Sequence, residues 1–149
     1  MKRIYKMLLT LVLAFTICFS AVSVPVVAAA PKTAQEKAFQ KKQAKKLVKW
    51  VKKNWANGNP YFRYAIKSKK VDKKYEFTLT CTSIEITKEI AEAVDTSMHN
   101  KMILSMADTS EIIYKKAKKY KLYKPVVYVT WMTADGYQMS KHKNGKQIE

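Results

Sequence analysis

The chain has 149 residues, with 29 Lys and Arg against 11 Asp and Glu, two cysteines, two histidines and a formal charge of +18 at pH 7. That length predicts one domain able to bury a modest core without metal or disulfide staples. Two cysteines, only one of them beyond residue 30, exclude a disulfide framework, and the charge imbalance points to polyanionic partners while saying nothing about fold.

The first thirty residues have the form of an export signal. Lys2, Arg3 and Lys6 make a cationic start, Met7 to Val27 is apolar, and Val27-Ala28-Ala29 offers small residues for cleavage before Ala30-Pro31. Thr10, Thr16, Ser20 and Ser23 dilute the run and Pro25 breaks it, which favours removal over an uncleaved membrane anchor. Either way the remainder faces outward. Phe15-Thr16-Ile17 before Cys18 is not a lipoprotein context. The expectation is a signal peptide over 1–29 and a secreted single basic domain over 30–149. Of the 29 cations, 26 then remain against 11 acids, a charge of +15, with Cys81 as the single thiol. A cross-chain disulfide stays open.

Charge is segregated along that domain. Residues 30–56 hold nine lysines and one acid, 85–113 two lysines and six acids, and 114–124 six lysines and no acid. Thr33 to Ala56 predicts an amphipathic helix opened by a Thr33/Glu36 capping box. Ala44, Leu47, Val48, Val51 and Trp55 fall on one stripe. Lys41, Lys42, Lys45, Lys46, Lys49, Lys52 and Lys53 cover an adjoining arc of roughly 140° at 100° per residue. Phe39 and Trp50 lie at the arc's edge, and Asn57-Gly58-Asn59-Pro60 ends the helix.

Tyr61 to Lys67 and Tyr75 to Thr82 alternate as two strands of a hairpin joined by an exposed lysine-rich connection, Ser68 to Lys74. Cys81 falls on the apolar parity and reads as a small buried hydrophobe. From Thr87, a candidate N-cap, to Tyr120 the period is helical, with possible breaks at Asp95-Thr96-Ser97 and Asp108-Thr109-Ser110, so a short helix and then a longer one are expected. The acidic start and the Lys115 to Lys121 end match the helix macrodipole.

Pro125 opens the last section. Val126 to Thr133 and Tyr137 to His142 form a second hairpin about Ala134-Asp135-Gly136, and Asn144-Gly145 turns into a short strand containing Ile148. The order predicts an α+β fold: a small antiparallel sheet of two hairpins, with the N-terminal amphipathic helix and the central helical segment packed on one face.

At Ile86-Thr87-Lys88-Glu89, Ser105-Met106, Ile113 to Lys118, Pro125 to Val129 and Asn144-Gly145, residues 86–145 resemble small exported domains of unknown function from Gram-positive bacteria. The resemblance implies an exported α+β domain and carries no site residues. Those domains follow an export or lipoprotein signal; this chain lacks the lipoprotein cysteine and is far more basic.

No catalytic, cofactor or metal set is predicted. His99 has no H-x-x-x-H or H-E-x-x-H neighbour and reads as a partly solvated helix residue; His142, beside Lys143-Asn144-Gly145, reads as exposed. Glu85, Glu89 and Glu92 are accounted for by a helix start. The anion-binding candidates are the seven arc lysines, aided by the 115–121 cluster. Their solvated-face alternative is weighed against two facts: few acids balance them, and Trp50 and Phe39 border the arc; like charges at i, i+4 cost a few tenths of a kcal/mol each, which an anionic partner would compensate. Lysine in place of arginine points to diffuse attraction and away from base-specific recognition. The expected partner is an anionic envelope polymer or anionic lipid surface, with non-specific binding of extracellular nucleic acid a further case. Two other readings stay open: a small secreted phosphodiesterase-like enzyme using His99 or His142 with a carboxylate, and a protein-binding or inhibitory module using a free sheet edge.

Overall fold

Thr33 starts helix α1 (Ala34–Trp55) through the capping box: its Oγ1 accepts from the Glu36 N–H at 3.1 Å, and the Glu36 carboxylate accepts from the Thr33 N–H at 2.8 Å and the Lys32 N–H at 2.6 Å. Donors that a helix start leaves unpaired are thereby satisfied, and the same backbone bonds, that of Thr33 foremost, hold the Glu36 carboxyl below its ordinary pKa. The computed structural model describes residues 30–55, 59–93 and 95–149, so the leader expected over 1–29 lies outside the described residues. Among the described residues no helix is long and apolar enough to cross a membrane.

Five strands follow: β1 (Phe62–Val71), β2 (Lys74–Ser83), β3 (Val126–Met132), β4 (Gln138–Lys143) and β5 (Lys146–Gln147), side by side in that order. Helices α2 (Lys88–Ala93) and α3 (Thr96–Lys119) lie between β2 and β3 in the chain. The class is α+β, as the element order predicts, but the sheet is mixed. Its hairpins are antiparallel, whereas β2 and β3 join them in parallel, with Leu79 opposite Val129 and Cys81 opposite Trp131. Such a pair needs a long crossover, which α2 and α3 supply.

The Ser68 to Lys74 segment is not a loop. β1 runs on to Val71 because Ser68, Lys69 and Lys70 gain ladder partners in Phe77, Glu76 and Tyr75. The reversal is only Asp72-Lys73, with Asp72 at φ 53°. Lysine side chains suit such an exposed edge.

The helical break expected at residues 95–97 is present: the Asp95 carboxylate caps α3 by accepting from the Ser97 N–H at 3.1 Å. The one considered at 108–110 is absent. Thr109 Oγ1 donates to the Ser105 carbonyl at 2.8 Å and Ser110 Oγ to the Ala107 carbonyl at 3.0 Å, so both hydroxyls are satisfied within the helix and turn inward. Ser110 Oγ also accepts from the Gly145 N–H at 2.6 Å, tying the β4–β5 turn to α3.

Both long helices lie on one face of the sheet and share one core with it, built on Leu47, Val51, Phe77, Leu79, Ile113 and Val129. Cys81 belongs to this core, and burial pushes its thiol well above its ordinary pKa, as suits a small hydrophobe.

Candidate polyanion-binding surface

Ala44, Leu47 and Val51 are buried against the sheet, and so is Gln40 one turn earlier. That orientation fixes where the lysines go. The arc is centred roughly 160° away from the buried stripe at 100° per residue, and Lys41, Lys42, Lys45, Lys46, Lys49, Lys52 and Lys53 are all exposed. Among the described residues none of the seven pairs with a carboxylate; the ion pairs there are Lys74–Glu76, Lys88–Glu92, Lys115–Glu111 and Lys141–Glu149.

The fold brings the second lysine cluster to the first. Lys116, near the end of α3, places Nζ 4.9 Å from the centre of the Trp50 ring of α1 and 5.3 Å from that of Tyr120, while Lys46 of α1 lies 5.2 Å from the same Tyr120 ring. Trp50 meets Trp55 edge to face at 5.3 Å. Aromatic faces attract ammonium groups, so these rings let like-charged side chains of two helices gather along one seam. Burial raises the Tyr120 pKa above its ordinary value. Phe39, expected beside Trp50, stays exposed.

Gln40 holds the two helices in register. Its Nε2 donates to the Lys121 carbonyl at 2.9 Å and its Oε1 accepts from the Tyr123 N–H at 2.8 Å, clamping the turn after α3 in which Lys121 adopts φ 57°. Gln40 is not among the residues expected to matter, although a polar side chain four before Ala44, in line with the apolar stripe, is the signal in the sequence that marks it.

The histidines are placed apart from this surface. His142 is fully buried, not exposed: it sits on the helix-facing side of β4, opposite Val129, with Nε2 3.2 Å from Ser140 Oγ. Nδ1 lacks a hydrogen-bond partner, and burial lowers the pKa of the ring. The period-2 alternation of the strand, stronger than the polar turn beside it, decides the direction of this side chain. His99 packs its ring 5.7 Å from Trp131 and lines a hollow of about 250 Å3 with Ala91, Glu92, Thr96 and Met139, where the Glu92 carboxylate is engaged by Lys88 at 3.7 Å. Among the described residues no three His, Cys, Asp or Glu side chains are grouped to hold a metal ion.

No protein-family model, curated protein or solved structure matches the chain.

Proposed function

We propose that the protein is an exported, non-enzymatic domain that associates electrostatically with an anionic cell-envelope surface through the lysines of α1 and the end of α3. The observation that carries this is the seam at Trp50 and Tyr120, where Lys46 and Lys116 converge from two separate cationic segments. Concentrating positive charge on one side of a two-layer domain raises the local potential seen by a polyanion, and salt screens that potential over about 10 Å at 0.1 M. Because Leu47 and Val51 are committed to the core, α1 presents charge and not its apolar stripe to the partner. An anionic polymer therefore suits it better than insertion among lipid tails.

The test is co-sedimentation of the protein with intact anionic cell walls and with walls stripped of anionic polymer, across a salt series. Binding that declines with salt, disappears on stripping and is weakened when Lys41, Lys42, Lys45, Lys46, Lys49, Lys52 and Lys53 become glutamine is the expected result. Unchanged retention of that variant would sink the proposal.

A further inference from the structure

The second cationic surface of the molecule lies on the opposite side. Among the described residues no element packs on the sheet face away from α1 and α3, yet that face is not apolar. Register places its side chains in rows across the strands. Lys67, Thr78, Tyr128 and Lys143 form one row, and Ala65, Thr80, Thr130 and Lys141 the next. Arg63 and Lys69 extend the β1 end of the pattern, so cations stand along β1 and along β4 with threonines and Tyr128 between. Three strand spacings separate these two rails, about 14 Å. The acids on or beside this face are Glu76, engaged by Lys74 at 3.7 Å, and Glu149, engaged by Lys141 at 3.3 Å. Arg63, Lys67, Lys69, Lys74, Lys141 and Lys143, six cations, against these two acids leave an excess of positive charge.

We infer that this open face is a second polyanion-binding surface, fitted to a polyol-phosphate chain lying along the strands, and that the domain thereby bridges two polymer chains. The rail-to-rail strip admits one extended polymer. Lysine supplies point charges for its phosphates, and the half-buried Thr78 and Thr80 supply hydroxyl donors and acceptors for its polyol oxygens, Thr130 being buried. A single-stranded nucleic acid fits less well, because base stacking needs free aromatic faces. The Tyr128 ring instead has the Lys141 and Lys143 ammonium groups 6.0 and 5.8 Å from its centre. The bridging half of the inference rests on the helical surface proposed above; the binding half does not.

Soluble poly(glycerol phosphate) and oligothymidylate are suitable probes, with three variants: a sheet-face variant (Arg63→Gln, Lys67→Gln, Lys69→Gln, Lys143→Gln), the seven-lysine helical-face variant, and their combination. Circular dichroism and melting curves verify folding, and the pair Lys67→Gln/Lys143→Gln provides a gentler version of the first. The wild-type protein should turn poly(glycerol phosphate) solutions turbid at intermediate ratios and clear them in excess polymer. The sheet-face variant should still bind immobilised polymer but leave the solution clear. The helical-face variant should keep salt-dependent binding that the combined variant loses, with the salt slope falling by about one per phosphate contact removed. Equal turbidity from the wild type and the sheet-face variant would overturn the inference, as would wild-type protein that binds no polymer. Preference of the helical-face variant for oligothymidylate would overturn the polymer class. Full binding by the helical-face variant would instead defeat the function proposed for α1 while leaving the sheet face standing.

Discussion

Helices α1 and α3 have nearly equal lengths, 22 and 24 residues, and cover the same side of the sheet, yet the structure holds them differently. α3 packs on β3, β4 and β5 and also meets α1, and it buries the hydroxyls of Thr109 and Ser110 alongside Met106 and Ile113. α1 rests chiefly on the edge strand β1, through a narrow apolar stripe, with Gln40 as its buried polar tie. Of the two long helices, the one with the denser uncompensated charge is thus the one with fewer attachments. Self-repulsion along α1 is tolerable at the periphery, where it weakens one contact layer and leaves the joint between helices and sheet intact.

The sharpest test of that contrast is a pair of core truncations. Ile113→Ala and Leu47→Ala should each cost roughly 2–5 kcal/mol by chemical denaturation, since both side chains are fully buried. Native-state hydrogen exchange should separate them. Leu47→Ala is expected to speed exchange in α1 well before the sheet, whereas Ile113→Ala should lower protection in α3 and β3 together. Equal loss of protection everywhere in Leu47→Ala would mean that α1 is as integral as α3.

Next in size is the anchor of α3 on the β4–β5 turn. Asn144 and Gly145 both adopt positive φ, 51° and 92°, and a Cβ on Gly145 would meet Glu111 Cβ at 3.0 Å. Gly145→Ala therefore combines backbone strain with a tight contact and should cost about 1–3 kcal/mol, read as a lower melting temperature. Gln40→Ala, the matching lesion in α1, leaves the Tyr123 N–H and Lys121 carbonyl unpaired. It should cost about 1 kcal/mol, near the lower end for an unpaired buried group because water can enter the turn.

The same contrast explains what was legible in the sequence. Features decided by neighbours in the chain were readable: the Thr33/Glu36 box, the stripe of Leu47 and Val51, the Asp95 cap and the Asn144-Gly145 turn. Features decided by distant partners were not. β1 reaches Val71 because β2 offers it a ladder, and β2 pairs in parallel with β3 because α2 and α3 carry the chain back across the sheet. Asp108-Thr109-Ser110 has the composition of a break, but two hydroxyls found helix carbonyls and one also found the Gly145 N–H. The seven lysines could be placed on one arc of α1 from their spacing alone. Their meeting with Lys116 across Trp50 and Tyr120 is a product of helix packing that no local pattern contains.

The finest probe of the α3 side is pH. His142 lies fully buried on the face that α3 covers, and its pKa is held below the ordinary 6.5 by burial. In the unfolded chain the ring takes up a proton near that ordinary value, so between the two pKa values the unfolded state binds more protons than the folded one. Stability from this site is therefore complete above about 6.5 and lost as pH falls below it. The carboxyls of Glu36, Asp135 and Glu149 are lowered by hydrogen bonds, chiefly from the Thr33 N–H, the Thr133 hydroxyl and Gln138 respectively. Their stabilisation is present above the ordinary carboxylate range and is lost only as pH falls through their depressed values, so the two windows separate. Melting temperature measured from pH 7.5 to 5, with ionic strength fixed, should decline in the wild type. His142→Gln keeps a polar group beside Ser140 that takes up no proton, and should flatten that decline. An equal slope in both proteins would place the acid sensitivity elsewhere, away from the anchored helix.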